Sequence, residues 1–241
     1  MDKERLNNRI YRLAYSSQQY VVNNGHLAVT YMNSRPAYQE IRPTLKTSLV
    51  VDGFPRSANS YCYYALMHAL RSVGEVRGHT HGAGIYGYTR RKSIPAVALI
   101  RKPEDAVSSF LQYNPRLTPD SALRSYILFN ETVLKFSSSI MVVSFETATQ
   151  DFAAVLDSIA STFPSLASAQ TTWTESDERT AREAVASSHF ERHGGKLSVS
   201  KIPLPQSTRG AMRDELLSRV VASTSYSLAT DIYQALREIS K

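Results

Sequence analysis

The sequence predicts an α/β fold of three layers, with helices covering both faces of a central, mainly parallel sheet. Three observations carry that expectation. The short runs TSLVVDGF (47–54), IPAVALI (94–100) and SIMVVSFE (139–146) have the near-continuous hydrophobicity of strands buried on both faces. Between them lie longer stretches with apolar residues at helical spacing, and strands that alternate with helices pair in parallel through crossover connections. The chain has 241 residues, 42% of them hydrophobic, which suits one well-buried domain over 1–241 and is too little for a second of full size.

Leu6, Ile10 and Leu13 recur at helical spacing, so the N-terminal part reads as an amphipathic helix. Residues 24–46 are polar and irregular, with Pro36 and Pro43, and read as a connection laid over the domain. The core then runs over 47–220, and 221–241 is a C-terminal helix. TSLVVDGF is a strand that meets a tight turn at Gly53. SYCYYALMHALRSVG (60–74) is a helix closed by Gly74, and EVRGHTH (75–81) is a candidate second strand. IPAVALI tolerates Pro95 because it stands near the strand start. RKPEDAVSSFLQY (101–113) opens a helix with Pro103 in its first turn and acids beside it.

Thr118 caps the next helix, with Pro119 at its first position. A further strand (139–146) leads to a helix in DFAAVLDSIASTF (151–163), and Thr174 to Ser188 reads as polar helix. Residues 189–210, rich in Gly, Ser, Lys and Pro, read as loop, before the helices in 213–223 and 227–239.

The formal charge of +7 suits an anionic ligand or an ordinary basic surface. The single cysteine, Cys62, excludes an internal disulfide and falls in an apolar helix pattern as a core residue. The charged start lacks the apolar centre of a signal peptide, and no apolar run reaches the roughly 18 residues of a membrane span. A cytoplasmic protein without a membrane span is expected.

The informative stretch is GFPRSANSY (53–61), placed between a strand and a helix. A phosphate loop of nucleotide kinases and ATPases has Gly, four residues, then Gly-Lys-Ser/Thr. Here Ser60 takes the hydroxyl position, Asn59 replaces the lysine and Ala58 the glycine. Amides at the helix start can still hold a phosphate. The lysine that balances charge between β- and γ-phosphates is missing.

GFPRSANSY resembles the 5′-phosphosulfate loop of sulfotransferases that use 3′-phosphoadenosine 5′-phosphosulfate (PAPS). In that family a basic residue follows a proline, then come Ser, a small residue and hydroxyls. Arg56 falls in the basic slot, and Asn59 departs from the hydroxyl that is common there. IPAVALIRKPEDAVSSF (94–110) resembles the family's 3′-phosphate segment, with Arg101 and Ser109 eight positions apart. VVSFETATQDF (142–152) is similar to the family's strand with an aromatic-Glu segment. STRGAMRDEL (207–216) is similar to its late basic-Gly loop, with Met212 where the family has tryptophan. The resemblance covers roughly 47–220.

It implies a P-loop-like sulfotransferase fold, PAPS as donor and adenosine 3′,5′-bisphosphate (PAP) as product. Arg56, Ser57, Ala58, Asn59 and Ser60 would hold the 5′-phosphosulfate. Arg101 and Ser109 would hold the 3′-phosphate, and Arg209 and Gly210 would close over it, with Lys196 and Lys201 as rival cations. Arg56 would also act in catalysis, at the bridging oxygen.

Sulfuryl transfer to an alcohol needs a base, and histidine suits that task. The candidates are His79 and His81 in RGHTHGAG. On a strand end, residues two apart share a face, so pattern alone does not separate them. The family places a basic residue, Thr, then the catalytic His, which maps His81 onto the base. A metal is not expected, because the sulfuryl group carries less charge than a phosphoryl group. His68 reads as structural, His189 and His193 as loop residues, and Arg90, Arg91 and Lys92 as a basic turn. The acceptor is a hydroxyl compound, with a lean toward carbohydrate, and no nucleic-acid partner is expected. Two competing readings stand: a nucleotide or sugar kinase with an altered loop, and a non-catalytic protein that binds nucleotide or polyanion.

Overall fold

The computed structural model describes residues 3–169, 172–192 and 210–241. Among these, β1 (Thr47–Gly53), β2 (Glu75–Gly78), β3 (Ala96–Ile100) and β4 (Met141–Ser144) form one parallel sheet in the order β2-β1-β3-β4. The three-layer α/β expectation holds. Alternate strand residues feed two cores, as the pleat requires. Val50, Ala96, Ala98, Ile100 and Val142 face one side, where α4 (Ile85–Lys92), α5 (Pro103–Tyr113), α6 (Pro119–Phe136) and α11 (Tyr226–Glu238) pack, with α1 (Lys3–Asn23) against them. Leu49, Val51, Val97, Leu99, Met141 and Val143 face the other, under α3 (Asn59–Ala69), α8 (Phe152–Thr162) and α9 (Glu175–Arg192). The short α2 (Leu27–Asn33) and α7 (Phe145–Gln150), and α10 (Gly210–Val221), complete the described α-helices.

The expected turn chemistry is present. Thr118 Oγ1 accepts from Ser121 N at 3.2 Å and closes a capping box at the start of α6. Gly53 is required by close approach, since a Cβ there would sit 2.8 Å from Leu99 O and 2.6 Å from Asn59 Oδ1. Cys62 is buried on α3, and burial pushes its thiol pKa up. No described helix is long and apolar enough to cross a membrane.

Several boundaries differ from the sequence reading. Residues 24–46 are not irregular throughout, because α2 forms there and buries Ala28 and Met32. Arg90, Arg91 and Lys92 are the last turn of a helix, α4, not a free turn; their cations suit the negative end of its dipole. Strand β4 ends at Ser144, two residues sooner than expected; the Ser144 hydroxyl accepts from Thr147 N at 3.1 Å and starts α7, a helix that the sequence reading did not predict. His189 is not a loop residue but lies buried on α9. Strand β2 stops at Gly78, so His79 and His81 are not on a strand end.

Phe54 anchors the loop after β1 to the core. It is 1% exposed, with ring centroids of Phe110 at 5.5 Å and Tyr126 at 5.1 Å. Phe54→Ala is expected to destabilise the fold by about 3–5 kcal/mol. Urea unfolding checks this; a loss under about 1 kcal/mol would mean that the cluster collapses into the cavity or that Phe54 is not an anchor.

Candidate functional site

The carboxyl ends of β1 and β3, the loop 54–58 and the turn 79–81 meet at one end of the sheet, the position at which open α/β sheets form their crevices. The loop is bent through two left-handed residues, Arg56 with φ 72° and Ala58 with φ 66°. Such backbone in non-glycine residues costs on the order of 1–3 kcal/mol and persists only where surroundings enforce it. Asn59 supplies part of the enforcement. Its side-chain amide donates to Gly53 O at 3.1 Å and to Phe54 O at 2.8 Å, and it is buried. Asn59, the departure from the family pattern, is therefore a staple across the loop.

Ser57 is wholly buried, its N–H donates to Phe54 O at 3.2 Å, and its hydroxyl finds no hydrogen-bond partner among the described residues. Ala58 caps α3 with no side-chain hydrogen bond, which leaves the first-turn amides available to an anion. Ser60 Oγ lies 3.3 Å from His79 Nε2.

The segments 53–61 and 101–109 come together. Arg56 Nε donates to Ser109 Oγ at 3.0 Å, across 53 positions of sequence. Arg101 Nη1 donates to Arg56 O at 2.7 Å, and its guanidinium lies 4.0 Å from the Phe145 ring centroid. Tyr126 OH donates to Arg101 O at 2.6 Å and fixes the strand end. Burial lowers the Arg101 pKa; Asp105 opposes that, and the nearby Arg213 guanidinium adds to it. A half-buried cation with another cation close by is a place where an anion is favoured. Arg213 of α10 pairs with Asp105 at 2.5 Å, and the sequence reading did not single it out. Gly210 opens α10, whereas Arg209, Lys196, Lys201 and His193 lie outside the described residues.

His79 and His81 occupy a turn with φ 60° and 56°, their ring centroids 4.9 Å apart. Asp52, the last side chain before Gly53, holds this turn. Its fully buried carboxylate accepts from Gly53 N at 2.9 Å, Thr80 N at 2.8 Å, His81 N at 3.0 Å and the Thr80 hydroxyl. Sequence reasoning missed Asp52, although an acid inside an apolar strand run is a signal in itself.

Imidazole Nδ1 of His81 faces Gly53 O at 3.1 Å. A carbonyl only accepts, so the neutral ring carries its proton on Nδ1 and leaves the Nε2 lone pair exposed. Asn59 Nδ2, 3.4 Å from the same Nδ1, already directs its hydrogens to the two carbonyls. His79, by contrast, uses Nε2 toward Ser60.

His68 stands elsewhere on α3, its Nε2 2.8 Å from Asp177 Oδ1 of α9. Hydrogen bonds from Thr174, then from His68, hold the Asp177 pKa down at about 2. Arg90 and Arg91 line a separate cleft of about 410 Å³ with Asn24, His26, Thr132 and Lys135, and no residue of the loop 54–58 borders it.

No family model and no curated protein matches the sequence. Among solved structures, the crystal structure of a mouse sulfotransferase complexed with PAP is similar with a TM-score of 0.43 and 13% identity, over 83% of this chain and 91% of that one.

Proposed function

We infer that the chain is a sulfotransferase which moves the sulfuryl group of PAPS to a hydroxyl acceptor. The observation that carries the reading is the convergence of two distant segments: Arg56 on Ser109, with Arg101 on the Arg56 carbonyl. That arrangement can take a doubly phosphorylated nucleotide at two points. Loop amides and Arg56 would hold the 5′-phosphosulfate, and Arg101 and Ser109 the 3′-phosphate, with Arg213 as an additional cation there.

In the step itself, the acceptor oxygen forms a bond to sulfur as the bond from sulfur to the bridging oxygen breaks. The hydroxyl proton passes to His81 Nε2, and PAP leaves with the electron pair on its 5′-phosphate. Nucleophile, sulfur and leaving oxygen stand roughly in line, as in phosphoryl transfer. Arg56 meets negative charge as it grows on the bridging oxygen.

Calorimetry with PAP against ATP-Mg²⁺ tests the donor site. PAP is expected to bind tighter by a factor of ten or more, since Arg101 and Ser109 have no 3′-phosphate to hold in ATP; one lost charge-assisted contact costs roughly 1.5–3 kcal/mol. A preference for ATP-Mg²⁺ would move the chain to the kinases. A labelled-sulfate screen over glycans, phenols and lipids tests transfer. Tight PAP binding with no transfer to any of them would make it a nucleotide-binding protein.

A further inference from the structure

The helix expected from Leu6, Ile10 and Leu13 forms as α1, but it lies on the protein by another face. Tyr11 and Tyr15 pack against the core, and Gln19 and Val22 are buried. The stripe that marked the helix is turned outward: Leu6 is 40% exposed, Ile10 56%, Leu13 64% and Tyr20 61%. Their spacings of four, three and seven keep them in line along about 20 Å of helix, at 1.5 Å per residue. Isolated exposed apolar residues need no explanation, whereas a row of four is a surface built for something.

The charges select the partner. At 100° per residue, Arg5 and Arg9 flank the row, with Arg12 beyond them, whereas Glu4, the only acid in α1, falls on the opposite side with Tyr11 and Tyr15. The outward face thus carries four apolar residues with Ser17 among them, is edged with arginine along one side, and has no carboxylate of α1 on it. A second copy of α1 laid against it would set arginine near arginine with no acid to pair. A soluble polyanion would use the arginines and leave the apolar row in water. Both features are used at once where a helix lies in the plane of an anionic bilayer, its apolar row among the acyl chains and its guanidinium groups at the phosphates.

We propose that α1 is an interfacial helix that docks this chain on anionic membranes through Leu6, Ile10, Leu13 and Tyr20, with Arg5 and Arg9 on the lipid phosphates. The net charge of +7 adds attraction at longer range. The inference is independent of the sulfuryl-transfer reading.

Sedimentation of the full chain with sucrose-loaded vesicles tests it. Phosphatidylcholine vesicles with about one-third phosphatidylglycerol are expected to carry the protein down, and pure phosphatidylcholine vesicles to do so at least tenfold less. The triple variant L6S/I10S/L13S is expected to lose tenfold or more of its partitioning into the anionic vesicles. Its thermal unfolding should be near that of the parent, because all three side chains are exposed. R5Q/R9Q should weaken anionic binding and flatten its salt dependence. Failure of the parent to sediment, equal binding to both vesicle types, or an unchanged triple variant would each overturn the proposal. A lipid-free dimer that the triple variant abolishes would assign the face to a second copy instead.

Discussion

His81→Ala is expected to lower turnover of a PAPS-dependent transfer by roughly 10²–10⁴-fold, with little change in PAP binding. The reason lies in the orientation of the ring. Nδ1 is committed to Gly53 O, so Nε2 is the atom that can take a proton from an acceptor. His79→Ala removes a ring whose Nε2 faces Ser60, and should have the smaller effect on turnover. Asp52→Asn is a second probe of the same geometry, because it leaves the imidazole in place. It would set an amide against the N–H groups of Thr80 and His81, so the turn should loosen and kcat should fall while His81 is intact. If His81→Ala kept near-normal turnover with an assigned acceptor while His79→Ala did not, the roles of the two histidines would be reversed. If neither variant lost turnover, no histidine of this turn would be the base.

The parts of this site that could be read from sequence are those set by local pattern. Arg101 follows a continuous apolar run and precedes a proline-started helix, so its place at a strand end was legible, as was Ser109 two turns later. The order of the histidines was legible only through the resemblance. Their geometry depends on Asp52, which holds Thr80 and His81 from 28 and 29 positions earlier in the chain, and no local rule of strand periodicity describes a left-handed turn held by a distant carboxylate. Helix α4 was missed because Gly84 and Gly87 and a basic run look like a connection; burial of Ile85 and Tyr86 makes it a helix, Tyr86 OH donating to Asp52 O at 2.9 Å. Helix α1 shows the converse. Periodicity found an amphipathic helix, but it does not say which side meets the core, and the two tyrosines, apolar in body, took that place.

Arg56→Ala is expected to lower kcat by about 10²–10³-fold, the magnitude found when one charge-stabilising donor is removed from a transition state. The way the residue is held fits the task proposed for it. Its backbone is left-handed, its carbonyl accepts from Arg101, and its Nε is tied to Ser109, so three separate constraints position the side chain. Charge on the bridging oxygen is small in bound PAPS and grows as the bond to sulfur breaks; an interaction that grows with it appears in kcat more than in KM. Arg101→Met should behave in the opposite way. The 3′-phosphate has the same charge before and during transfer, so loss of its partner is a loss of uniform binding and should raise the donor KM with kcat less affected. Arg56→Lys should recover only part of the rate, since an ammonium cannot keep the Nε bond to Ser109 and also present a planar pair of donors. Steady-state kinetics with varied PAPS separates these outcomes. An Arg56→Ala variant that changed only KM, or an Arg101→Met variant that changed only kcat, would reverse the division of labour between the two arginines.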